Sequence, residues 1–227
     1  MIKGYGEWLN ESTVAQLTPE QVEWCNKHIK KKWKLDKNGE VVVAGNLVLQ
    51  DIDDAKLPVK FADFKGNFTC LNTSLVSLEG VPTNVGGDFS LVYCNNLTSL
   101  EGAPATVGKD FHVQHCNSLK KLTGAPAVGA NIIIVWCKSL ISLEGAQDSM
   151  ARIGDFICRN CESLVSLEGA PSRVYQFKCS NNESLKSLKG APTDVENFDC
   201  RKCDSLVSLE GAPSIVGMDF DCSGCEN

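Results

Sequence analysis

Apolar positions recur along this chain in fixed columns. One column runs Phe68, Phe89, Phe111, Ile132, Phe156, Phe177, Phe198 and Phe220, at intervals of 21 to 24 residues. A column of glycines (Gly80, Gly102, Gly124, Gly145, Gly169, Gly190 and Gly211) keeps the same interval. Two independent columns with one period identify an internal repeat. Within a unit, Phe156-Ile157-Cys158 alternates with the period of a strand, so Phe156 and Cys158 share one face and Ile157 takes the other. Cys161, Leu164, Leu167 and Val174 follow as further one-sided apolar positions. A single unit has no second layer on which to bury them, so units must stack and share one continuous core. The glycine of the recurring Leu-Glu-Gly-Ala-Pro phrase suits a turn at positive φ, and the proline stiffens the return path.

The ends depart from this rhythm. Leu47, Leu49 and Ile52 lie one period before Phe68, Cys70 and Thr73, which predicts a degenerate first rung. The last rung, Phe220 to Cys225, stops in mid-repeat with no capping element after it; this bare end reads as tolerated, as a partner site open to self-association, or as a boundary short of the natural end. Ahead of the repeats, Thr18-Pro19-Glu20-Gln21 reads as a helix start with a capping box. Val22, Cys25, Ile29 and Trp33 form an apolar stripe at helical spacing, with Lys27, Lys30, Lys31 and Lys34 largely off it. The expected role of this helix is to lid the first rung, its lysines favoured near the C-terminal end by the dipole. A basic contact to nucleic acid or another anionic surface is the alternative. Asp36-Lys37-Asn38-Gly39 reads as a turn into Val41-Val42-Val43, the expected start of the sheet. The predicted organisation is thus an N-terminal helical cap over 1–45 and a solenoid of about eight repeats over 46–227.

These residues carry a resemblance. Phe-x-Cys-x-x-Cys-x-x-Leu-x-x-Leu resembles the leucine-rich repeat, and Cys-x-Ser-Leu-x-Ser-Leu resembles the cysteine-containing repeats of BspA-like proteins. Leu-Glu-Gly-Ala-Pro, the Val85 to Phe89 phrase and Glu23-Trp24-Cys25 together are most similar to tailed-phage leucine-rich-repeat proteins. The resemblance covers nearly the whole chain. It implies an α/β-type repeat solenoid: an arc with a concave parallel β-sheet, an irregular convex side and an N-terminal helical cap. It also implies that the second cysteine column points inward and bonds backbone groups of the turn.

On such a sheet the residues between the inward columns face a partner. Val92, Tyr93, Ile133, Val135, Trp136 and Ile157 then form an apolar patch over four adjacent strands, on the order of 15 Å across. Contiguous exposed apolar surface marks interaction sites, and Trp, Tyr and Arg are enriched in binding hot spots. His112, His115, Arg159, Lys178, Arg201 and Lys202 form the polar and basic rim. The residues preceding the Phe column, such as Asp88, Asp110, Asn131 and Asp155, are expected on the same face. Covering of the patch by the N-terminal segment, or by a second copy, is the competing reading. The longer connector from Ala146 to Arg152 lacks the usual proline, and reads as a tolerated insertion or a second contact.

Chemistry adds little to this picture. The chain has 12 cysteines, with Cys-x-x-Cys pairs at Cys158/Cys161, Cys200/Cys203 and Cys222/Cys225, so zinc must be weighed. The first column, however, reads Cys70, Leu91, Val113, Ile134, Cys158, Cys179, Cys200, Cys222, and an aliphatic residue cannot ligate a metal. A ladder of structural cysteines is therefore expected, ahead of zinc or disulfides, which a reducing cytosol disfavours. His115-Cys116 suggests a nucleophile pair, but adjacent strand residues point apart. His112 and His115 are a slight metal signal. No phosphate loop or paired-acid motif is present, so a protein without enzymatic activity or cofactor is expected. The net charge of −6 argues against broad nucleic-acid binding. No run approaches the length of a membrane span, and the start has no signal-peptide pattern, so a cytoplasmic protein is expected, in the host cytoplasm if phage-encoded. The leading expectation is a protein-binding module that engages, and blocks, a host or defence protein. A self-associating assembly protein and a nucleic-acid or carbohydrate binder are the alternatives.

Overall fold

A computed structural model describes residues 16–146 and 153–225. Residues 1–15 of the expected cap and the Gln147 to Arg152 part of the connector lie outside the described residues. The elements in chain order begin with helix α1 (Pro19–His28), then strands β1 (Trp33–Leu35), β2 (Val41–Val43), β3 (Leu47–Gln50), β4 (Phe68–Leu71), β5 (Asn84–Val85), β6 (Phe89–Val92), β7 (Thr106–Val107) and β8 (Phe111–Gln114). They continue with β9 (Ala127–Val128), β10 (Ile132–Val135), β11 (Ile153–Arg159), β12 (Val174–Lys178), β13 (Asp194–Val195), β14 (Asn197–Asp199), β15 (Ile215–Val216) and β16 (Phe220–Asp221).

Nine of these strands form one parallel sheet in the order β16-β14-β12-β11-β10-β8-β6-β4-β3. Its register follows the apolar column: Leu47 pairs with Phe68, Phe68 with Phe89, Phe89 with Phe111, and so on to Phe198 with Phe220. The degenerate first rung is therefore a true strand of the sheet. The molecule is a parallel β-solenoid of about eight turns, and α1 is the one helix among the described residues. The connectors are not helical, which replaces the expected α/β character with an all-strand one. Nor is the return path of each turn wholly irregular. Two-residue strands pair in parallel there, β5-β7-β9 and β13-β15, burying Val85, Val107, Val128 and Val195.

Stacking buries the repeating residues almost completely. Phe89 and Phe111 lie 5.8 Å apart with planes 4° from parallel, and Phe177 stacks on Phe156 at 5.1 Å and on Phe198 at 5.6 Å. Ile132 interrupts the phenylalanine stack at the middle rung. The Leu-Glu-Gly turn requires its glycine twice over. Gly102 has φ +84, and a Cβ there would lie 2.7 Å from the Glu79 backbone nitrogen of the preceding rung.

The second cysteine column binds one rung to the one before it. Cys116 Sγ donates to the Leu91 carbonyl at 3.7 Å and Cys203 Sγ to the Cys179 carbonyl at 3.3 Å. Where the column holds Asn182, its amide donates to the Cys158 and Cys179 carbonyls and its oxygen accepts from Cys161 N, all at 2.8 Å. Burial pushes the Cys25 thiol up to about 11 and raises the Cys70 and Cys179 thiols well above the ordinary thiol range.

Helix α1 starts as its sequence demands. Thr18 Oγ1 accepts from Gln21 N, and Gln21 Oε1 accepts from Thr18 N. Trp24, Cys25 and Ile29 join the core, and Trp24 Nε1 donates to Asp54 at 2.7 Å. The helix stops before Trp33, however, because Ile29 is already extended at φ −94 and ψ 101. Trp33 lies instead in β1, which pairs antiparallel with β2. Val41–Val43 therefore belongs to a separate hairpin and not to the large sheet. At the other end Phe220 is 37 % exposed, against 1 % for Phe198 one rung earlier.

Candidate functional site: the outward face of the nine-stranded sheet

Three outward columns make up this face. The first follows the phenylalanine column and reads Ser90, His112, Ile133, Ile157, Lys178 in register. The second, two residues on, reads Leu71, Val92, Gln114, Val135, Arg159. Gln114 thus separates Val92 from Val135; Leu71 is in register with Val92 and Ile133 with Ile157, whereas Val135 lies between Gln114 and Arg159, and all five aliphatics are half-buried. Leu71 extends the face toward the first rungs, a position the sequence reading passed over.

The third column closes each strand. It consists of Asp51, Asn72, Tyr93, His115, Trp136, Asn160, Asn181 and Lys202, and every one of them has φ between 51° and 61°. This left-handed conformation turns the chain so that the next residue, Cys94, Cys116 or Cys137 for example, points inward. Asn and Asp tolerate it because their short side chains bond locally; other L-residues pay a steric penalty. Tyr93, His115 and Trp136 nevertheless occupy three successive rungs and form a row of parallel rings. Tyr93 stacks on His115 at 4.6 Å and 10°, and His115 on Trp136 at 5.9 Å and 4°. Tyr93 is 45 % exposed and Trp136 43 %. Because the rings stack along the sheet, their faces are turned toward one another.

The expected basic rim is internally compensated. Asp199 accepts from Arg159 Nη2 at 2.6 Å and from Arg201 Nε at 2.9 Å, and Asp221 lies 3.4 Å from Arg201. Lys178 pairs with Asp155 at 2.9 Å, and His112 Nε2 lies 3.8 Å from Asp110. Burial works against the charge on Asp199, but the Arg201 hydrogen bond and the Arg159 charge outweigh it and hold the carboxyl below its usual range. Lys202 ends the left-handed row.

The column before the phenylalanines has a different role from the one expected of it. Asn67 Oδ1 accepts from Asp88 N at 3.0 Å, Asp110 Oδ1 from Asn131 N at 3.1 Å, and Asn131 Oδ1 from Asp155 N at 2.8 Å. These side chains bind successive rungs at the strand starts. Among the described residues no group of three or more His, Cys, Asp or Glu side chains is placed to hold a metal ion. The sheet face offers shallow, open depressions near Arg159 and Arg201. No family model, no curated protein and no solved structure matches this chain.

Proposed function

We propose that this protein is a non-enzymatic, leucine-rich-repeat-type interaction module that binds another protein through the outward face of its sheet. The observation that carries the reading is the Tyr93–His115–Trp136 row. Three aromatic side chains are kept at backbone positions where asparagine fits at lower cost; Tyr93 and Trp136 are exposed, and His115 between them is half-buried. Strain retained at an exposed side chain points to use of that side chain. Ile133, Val135 and Ile157 beside it supply an apolar floor, and Trp and Tyr are preferred hot-spot residues.

The geometry favours protein over the other partners. Sugars stack on open ring faces, whereas here four of the six ring faces are engaged with each other. Nucleic acid needs uncompensated cations, whereas Arg159, Lys178 and Arg201 are paired with acids. The inward Cys/Asn182 column supports the leucine-rich-repeat reading. The similarity to tailed-phage repeats supplies the partner class, a host or anti-phage defence protein that is bound and blocked in the cytoplasm.

The test is co-purification of the tagged chain from a bacterial host, with Trp136→Asn and Tyr93→Asn/Trp136→Asn as controls. Asparagine is preferable to alanine, which would keep the strain and lose the stacking. Relief of left-handed strain and loss of stacking are each about 1 kcal/mol and oppose one another, so the variants should fold with nearly unchanged stability. A stoichiometric partner lost from both variants is the expected result. Capture that survives in both would overturn the reading, and homo-oligomers without a partner in every version would replace it with self-assembly.

A further inference from the structure

A second feature of the same face is not explained by an apolar partner. In the column of Val135, Arg159, Ser180 and Arg201, the small Ser180 is 3 % exposed and falls between two guanidinium-bearing rungs. The result is a notch lined by Arg159, Ser180, Asn181, Arg201 and Lys202. Its lining holds three cations, a hydroxyl and an amide, and no acid. Asp199, the shared partner of both arginines, lines the neighbouring depression instead. Arg159 Nε is buried and is the one such side-chain nitrogen or oxygen without a hydrogen-bond partner among the described residues. A buried donor left unmade is costly, and its natural complement is an oxygen acceptor. Lys202 adds an independent sign. It takes the left-handed conformation at φ 53°, a position that Asn72, Asn160 and Asn181 fill in other rungs.

We infer that this notch is a subsite for an anionic oxo group, a carboxylate or a phosphate, presented by the bound protein. The inference rests on the proposed binding face and deepens it. Trp136 and Lys202 are three rungs apart in the left-handed row, roughly 14 Å at ordinary strand spacing. The partner segment therefore carries an apolar anchor for the ring row and, about 14 Å along the solenoid axis, an acidic or phosphorylated residue. Arg201 already holds Asp199 through Nε and Nη2, so the group would be met by the unpartnered Nε of Arg159 and by Lys202, which contributes a point charge.

The experiment uses the full chain, isotopically labelled, titrated with sodium phosphate, sodium acetate and sodium chloride at matched ionic strength. Amide signals of Ser180, Asn181 and Lys202 are followed. Expected are saturable shifts with phosphate or acetate beyond those with chloride, and affinity at least fivefold weaker in Lys202→Asn. Saturation at lower phosphate than acetate assigns a phosphorylated segment; the reverse assigns a carboxylate. Shifts no larger than those with chloride, or equal titrations in Lys202→Asn, overturn the inference. Lys202→Asn suits the backbone there, so an unchanged melting temperature verifies its fold. Trp136→Asn should bind the anion normally while losing the partner, which separates failure of the subsite from failure of the binding face.

Discussion

Tyr93, His115 and Trp136 share one backbone geometry, and Tyr93 and Trp136 are exposed in it. An ordinary strand residue in their place would lie against its neighbours, whereas a positive φ lifts the side chain to the end of the strand. The sequence identified these residues as candidates through their type, but not this conformation. Asp51, Asn72, Asn160 and Asn181 in the same column were the available signal, since Asn and Asp are the usual non-glycine occupants of that region. Positive φ at the Leu-Glu-Gly turn was easier to read because glycine announces it, as at Gly102. Ion pairing was not legible at all: Arg159 meets Asp199 across forty residues, in a register that only the folded sheet defines. That pairing makes a prediction about acid. The folded carboxyl of Asp199 titrates below its ordinary 3.8. Its contribution is therefore present at neutral pH and is lost as pH falls through the lowered folded value. In urea titrations from pH 6 to pH 2, Asp199→Asn should be less stable than the parent at pH 6, and the gap should close toward pH 2. A gap independent of pH would remove the ionised carboxylate as its source.

At the scale of elements, the phenylalanine column set the strand register and did so legibly, because one bulky residue per period marks every rung. Phe177 stacks on both neighbours and is fully buried. Phe177→Ala should cost about 3–5 kcal/mol in a denaturation midpoint analysis, and a loss below about 1 kcal/mol would show that the column does not pack as described. Shorter elements were hidden for a physical reason. The strands Asn84–Val85 and Thr106–Val107 are two residues long, so they contain no alternation to detect. Val41-Val42-Val43 announced a strand but not its partner, which is the nearby Trp33–Leu35, joined to it through the Asp36–Gly39 turn. Trp33 fitted the helical stripe by spacing alone; the extended conformation of Ile29 had already ended the helix.

For the whole molecule, the stack sets which of the twelve cysteines a reagent can reach. Ten are buried, nine in the rungs and Cys25 on helix α1, and Cys222 and Cys225 in the last rung are partly exposed. Iodoacetamide applied to the native chain should therefore modify Cys222 and Cys225 first, with the other ten reacting only after denaturation, as read by peptide mass spectrometry. Rapid native labelling of Cys94 or Cys116 would contradict the continuous core.

The row of left-handed positions has a further consequence, for change over generations. Each place in the row is shaped by the main chain and tolerates asparagine as a neutral filler, so rewriting one residue leaves the core and the strand pairing intact. Eight such places form a line of characters on an unchanging page, some read together with the neighbour a rung away, as Tyr93 is with His115. A lineage pressed by a partner that alters its own surface can follow it by single substitutions along this line, without ever passing through an unfolded ancestor.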